Sequence, residues 1–102
     1  MNTPITVHVH FSAKPGKSLE LQSFLSSALV DVRQVPGCSG ARILADAEHE
    51  GELMLVEQWA SVTRHEEHVA ALVDGGLMAQ LLSLTTSAPR SEYFSVTGPG
   101  TH

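Results

Sequence analysis

The sequence predicts an α+β domain with the element order β-α-β-β-α-β, and three observations carry that prediction. Residues 5–12 alternate apolar and polar side chains. From residue 18 the apolar spacing changes to threes and fours, the period of a helix. Two later strand-like runs, 40–45 and 52–59, are joined by the short polar segment 46–51, the pattern of an antiparallel hairpin.

Each element follows from local chemistry. Ile5, Val7, Val9 and Phe11 share one strand face, while Thr6, His8, His10 and Ser12 share the other. Lys14-Pro15-Gly16 breaks this strand. Leu21, Phe24, Leu25, Ala28, Leu29 and Val32 then form one apolar stripe, predicting an amphipathic helix over 18–33 with Ser18 as its N-cap. Val35-Pro36-Gly37 ends that helix, because a residue before proline leaves the α region and Gly37 tolerates a positive φ.

Ser61 is predicted to cap a second helix over 62–72. Asp74-Gly75-Gly76 interrupts it, and a short helix over 77–84 follows. Pro89 stops helical structure, and 91–96 reads as the last strand. This order is the split βαβ, ferredoxin-like arrangement, a four-stranded antiparallel sheet with helices on one face. The first and third strands are expected to carry large apolar groups on both sides, Leu53, Leu55 and Trp59 against Met54 and Val56. The open face therefore calls for a second copy, a homodimer closing a dimeric α+β barrel.

Composition excludes several classes. The chain has 102 residues, so a single domain over 1–96 is expected, with 97–102 (Thr-Gly-Pro-Gly-Thr-His) as a flexible tail. Eleven acidic and six scattered basic residues give a net charge of −5 and no basic stripe for nucleic acid. No apolar run approaches the ~20 residues of a membrane span. The first residues, Met1-Asn2-Thr3-Pro4-Ile5, carry neither the cationic nor the apolar region of a secretory signal, so a cytoplasmic location is the expectation. Cys38, the single cysteine, rules out an intrachain disulfide and has no adjacent cation to lower its pKa.

Several landmarks, in order, resemble the antibiotic biosynthesis monooxygenase superfamily over nearly the whole chain. They are Lys14-Pro15-Gly16, Val35-Pro36-Gly37-Cys38, Glu57-Gln58-Trp59, Ser61 and His68. The chain is most similar to the bacterial quinol monooxygenase branch, where Glu-x-Trp is followed nine residues later by a helical histidine. Ala41 departs from that pattern, since many relatives carry an aromatic there, and the departure is expected to widen or change the pocket. Haem-degrading relatives place an asparagine on the first strand, and residues 5–12 contain none.

The resemblance implies cofactor-independent oxygenation of a small aromatic or quinol-type substrate by O2, in a pocket between sheet and helices. The alternative is a non-catalytic dimeric small-molecule-binding or accessory domain of the same fold. Oxygenation without a cofactor needs an apolar pocket, a base near neutral pKa, and donors that hold the anion. His68 is the candidate base or anchoring donor, because histidine titrates near pH 7; otherwise it is an ordinary helix-face residue. Trp59 either stacks a planar substrate or anchors the core. Glu57 shares a strand face with Leu55 and Trp59, so if buried it must find a partner, through an ion pair or in acid–base chemistry. His8 and His10 face either the dimer barrel or the mouth of the pocket, as substrate-binding candidates. His65 and His68 lie three apart on a helix, but these spacings are not those of the zinc-protease motif, so no metal is expected.

Overall fold

The computed structural model describes residues 4–95, and the element order is β1 (Ile5–Ser12), α1 (Ser18–Val32), β2 (Cys38–Ala45), β3 (Glu52–Trp59), α2 (Val62–Asp74), α3 (Leu77–Leu82) and β4 (Arg90–Phe94). The strands form one antiparallel sheet in the order β2-β3-β1-β4. This is the ferredoxin-like α+β arrangement that the sequence predicts. The segment 97–102, and the end of the last strand at Val96, lie outside the described residues.

The alternation along β1 is realised in full, with each apolar residue buried and each polar one half-buried. Ile5, Val7, Val9 and Phe11 meet Leu53, Leu55 and Trp59 of β3 and the buried stripe Leu21, Leu25, Leu29 and Val32 of α1. Burying an aliphatic side chain contributes about 1.5–3 kcal/mol, so this face holds the sheet and α1 together. Arg33, just past α1, ties the helix to β2: its Nε and Nη2 donate to the Ala41 carbonyl at 3.1 and 2.8 Å.

Three local expectations change. Ser18 is the first helical residue and not the cap. Lys17 N–H donates to the Lys14 carbonyl at 2.9 Å, which closes the turn one residue early and makes Lys17 the cap, without a side-chain bond. The second strand begins at Cys38 and carries a bulge between Cys38 and Gly40. A Cβ at Gly40 would come 2.7 Å from Gln58 Oε1, the movable end of a flexible side chain. Finally, β3 carries apolar groups on both faces but β1 does not, since its second face is Thr6, His8, His10 and Ser12.

Other local predictions hold. Ser61 is extended and its Oγ accepts the Arg64 N–H at 3.2 Å, starting α2. Gly37 adopts φ +100°, where a side chain would be strained and would press on Arg64. Asp46 Oδ1 accepts the Glu48 and His49 N–H groups and shapes the hairpin between β2 and β3.

All three helices cover the face of Val9 and Leu55. The opposite face presents His8, His10, Met54, Val56, Leu44, Arg42, Glu92 and Phe94. Leu44 and Phe94 are about two-fifths exposed there, at 40% and 45%. Among the described residues no helix is long and apolar enough to cross a membrane.

Candidate active site

A cavity of about 340 Å³ lies between the covered sheet face and the helices. Such a volume is within the range of small-molecule sites. Val9, Phe11 and Leu55 form its floor, Phe24, Leu25 and Ala28 of α1 one wall, and α2 with α3 the rest. His65 is the only fully buried residue of α2, and Val69 and Leu72 border the open space. Among the described residues the polar lining is Asp31, Glu57, His65, His68 and Ser91, with no lysine or arginine.

The polar cluster is assembled by two elements of different period. On β3, residues two apart share a face, so Leu55, Glu57 and Trp59 all turn inward. On α2, residues three apart share a face, so His65 and His68 both reach the cavity. Trp59 Nε1 donates to Glu57 Oε1 at 2.8 Å. His65 Nε2 lies 3.8 Å from the same oxygen, and its Nδ1 is 2.9 Å from the Tyr93 hydroxyl. The His68 ring lies over Trp59, centroids 5.2 Å apart and planes inclined by 32°.

Burial determines the charges. Glu57 is only 3% exposed, and desolvation pushes its pKa up, partly offset by the Trp59 hydrogen bond. Desolvation, with a smaller contribution from His68, lowers His65 from 6.5 to about 4. Desolvation lowers His68 as well. Both imidazoles are therefore neutral at neutral pH and can accept a proton or a hydrogen bond. The Cys38 thiol is raised, chiefly by burial, which disfavours the thiolate.

The five residues singled out in the sequence separate into two groups. His68 and Glu57 line the cavity, and Trp59 braces both from beneath. Trp59 is 1% exposed and does not line the cavity, so in this conformation its ring offers no free face to a substrate. His8 and His10 lie on the open sheet face, not at the mouth of the pocket. There His8 contacts the Phe94 ring at 4.7 Å, and His10 Nε2 meets Glu92 Oε1 at 2.8 Å. Ala41 is buried in the core, and its methyl group does not line the cavity.

Two cluster members escaped the sequence reading as functional groups. His65 is signalled only by its position three residues before His68. Tyr93 is signalled only by alternation on the last strand, and its partner lies 28 residues away. Among the described residues no three His, Cys, Asp or Glu side chains are grouped so as to hold a metal ion.

An antiparallel sheet roofed by helices, with an apolar cavity ending in neutral imidazoles and a carboxylate, defines a ferredoxin-like protein with an internal cavity. The profile described as antibiotic biosynthesis monooxygenase matches residues 4–72, and the chain belongs to that family. Among solved structures it is similar to Rv0793 from Mycobacterium tuberculosis, at 22% identity and TM-score 0.82, covering 97% of this chain and 100% of that one. It is similar to NE2512, a protein of unknown function from Nitrosomonas europaea, at 23% identity and TM-score 0.79, over 98% and 95% of the two chains. It is also similar to a variant of SnoaB, a cofactor-independent oxygenase from Streptomyces nogalater. The identity there is 15% and the TM-score 0.76, over 96% and 95% of the chains. Comparison with the curated proteins found no match.

Proposed function

We propose that the chain is a cofactor-independent monooxygenase that oxidises a small aromatic or quinol-type substrate with O2 in the cavity between sheet and helices. The observation that carries this reading is the neutral imidazole of His68 at the polar end of an otherwise apolar cavity. A dihydroxy-aromatic ring would lie against Phe24, Leu55 and Leu81, with its hydroxyl toward Glu57 and the histidines. His68 takes the hydroxyl proton, and the resulting anion is electron-rich enough to pass an electron to oxygen itself. The apolar walls keep water from the intermediate. Membership of a family named for monooxygenases, and the fold shared with SnoaB, support the reading. The quinol monooxygenase branch is the proposed affiliation, on the spacing from Glu57-Gln58-Trp59 to His68.

The proposed assembly is a homodimer through the open sheet face, in which Leu44, Met54 and Phe94 would be covered by a second copy. His8 and His10 then lie at that interface. The test of function is oxygen consumption with hydroquinones, naphthoquinols and anthrones in metal-free buffer. Turnover of at least one class is expected, and it should fall in the His68→Ala variant. No uptake with any class would leave the cavity a binding site alone.

A further inference from the structure

His65 is only 3% exposed, and its two ring nitrogens meet different surroundings. Nδ1 lies 2.9 Å from the Tyr93 hydroxyl on β4. Nε2 has no hydrogen-bond partner among the described residues and lies 3.8 Å from Glu57 Oε1. No fully enclosed side-chain nitrogen or oxygen among the described residues lacks a partner, so Nε2 borders open space. The open space beside His65 is the cavity.

A neutral imidazole carries one proton, and the bond made by one nitrogen decides what the other presents. Glu57 Oε1 already accepts the Trp59 indole N–H at 2.8 Å, so it acts as an acceptor whether or not the carboxyl is ionised. A bare Nε2 facing that oxygen would set two acceptors against each other, and an Nε2–H removes the repulsion. On the other side of the ring, desolvation raises the Tyr93 pKa, with the charge of Glu66 adding to the rise. The phenol therefore keeps its proton and can donate it to Nδ1. Both contacts call for the same tautomer.

We propose that the Tyr93 hydroxyl donates to His65 Nδ1 and locks His65 as the Nε2–H tautomer, a neutral donor that holds the substrate oxygen once His68 has taken its proton. This rests on the cavity being the site of oxygenation. His68 is then the acceptor and His65 the donor, while Tyr93, which does not line the cavity, is a positioning residue. With its pKa lowered to about 4, His65 does not compete with His68 for the proton. A neutral donor matters here because, among the described residues, no lysine or arginine lines the cavity to hold an anion.

Nitrogen-15 NMR of labelled protein at neutral pH reads the tautomer, the His65 signals being identified by contacts with the Trp59 and Tyr93 rings. His65 is expected to carry its proton on Nε2, and Tyr93→Phe should populate the other tautomer. Binding of nitrophenolate in mildly alkaline solution, followed by its visible absorption, tests the donor, with nitrobenzene as the uncharged control. His65→Leu should weaken nitrophenolate at least about tenfold, as for a hydrogen bond to a charged group, and leave nitrobenzene within about twofold. Tyr93→Phe should weaken nitrophenolate about fivefold, the size of one neutral hydrogen bond. A wild-type His65 protonated on Nδ1 overturns the proposal, as does a tautomer unchanged in Tyr93→Phe. Nitrophenolate that does not bind, or that binds His65→Leu as tightly, overturns it too. Should His65→Leu not fold, the wild-type tautomer and Tyr93→Phe, which loses a single oxygen atom, decide the matter. Neither readout needs turnover, so the outcomes separate. A locked tautomer and a held anion without oxygen uptake keep this inference and remove the oxygenase reading. Oxygen uptake with Nδ1 protonated removes this inference alone.

Discussion

Trp59 and Glu57, two residues apart on one strand, are joined by an indole N–H···carboxylate hydrogen bond of 2.8 Å. That bond supplies the partner a buried carboxylate requires, and it comes from within the chain. Glu57 is thereby held against the cavity while Trp59 carries His68 on its ring. The first expectation concerns this brace. Trp59→Phe removes the donor and part of the ring volume, so the variant should lose about 2–4 kcal/mol of stability in urea denaturation. It should also raise the Glu57 pKa further, because the hydrogen bond that lowers it is gone. A loss of substrate affinity with stability unchanged would instead mark Trp59 as a stacking surface.

His68→Ala should lower oxygenation on the order of 10²-fold, the usual size of a lost general base. The fold should survive, since alanine favours helix and His68 is only half-buried. The wild-type rate should rise with pH through an apparent pKa below 6.5, because desolvation lowers this imidazole. Rate-against-pH profiles of both proteins check this, and the variant should lack the inflection.

His65 should make stability depend on acid. Its pKa falls from 6.5 to about 4 on folding, so between those values the unfolded chain binds more protons. Stability from this group is therefore complete above pH 6.5 and lost as pH falls toward about 4. At ~1.4 kcal/mol per pH unit the loss is up to roughly 3 kcal/mol. Glu57 acts with the opposite sign, since its raised pKa costs stability as pH rises through the folded value. Urea midpoints of wild type and His65→Gln across this range isolate the histidine, and the variant should show the flatter acid limb.

The open sheet face should mediate dimerisation. Light scattering at micromolar concentration should give about twice the 10.9 kDa chain mass. Leu44→Glu with Phe94→Glu should give monomer with an unchanged circular dichroism spectrum, because both side chains are exposed in the single chain. A wild-type monomer would remove the dimer proposal.

The periods written into the chain were enough for the element order and for the buried face of each element. Alternation along 5–12 names the β1 core residues one by one, and the spacing from Leu21 to Val32 names those of α1. Boundaries were less legible. Ser18 looks like a cap, but the turn from Lys14 to Lys17, with Gly16 at φ +77°, gives that place to Lys17. Glu57 and His68 were legible as candidates because strand and helix periods turn them inward.

By itself the sequence determined a β-α-β-β-α-β domain, the inward faces of its strands and helices, and the absence of a basic stripe. These depend on periods of two and 3.6 residues, which are local properties. Only the tertiary structure decided that Trp59 braces the cavity without lining it, that His65 meets Tyr93, and that His8 and His10 face away. Those relationships depend on sheet order and on how far α2 stands from the sheet. Strand β4 lies beside β1, bringing Tyr93 level with Val7. No short-range pattern encodes which distant residue will occupy that place, because the pairing is fixed by burial of the whole apolar face.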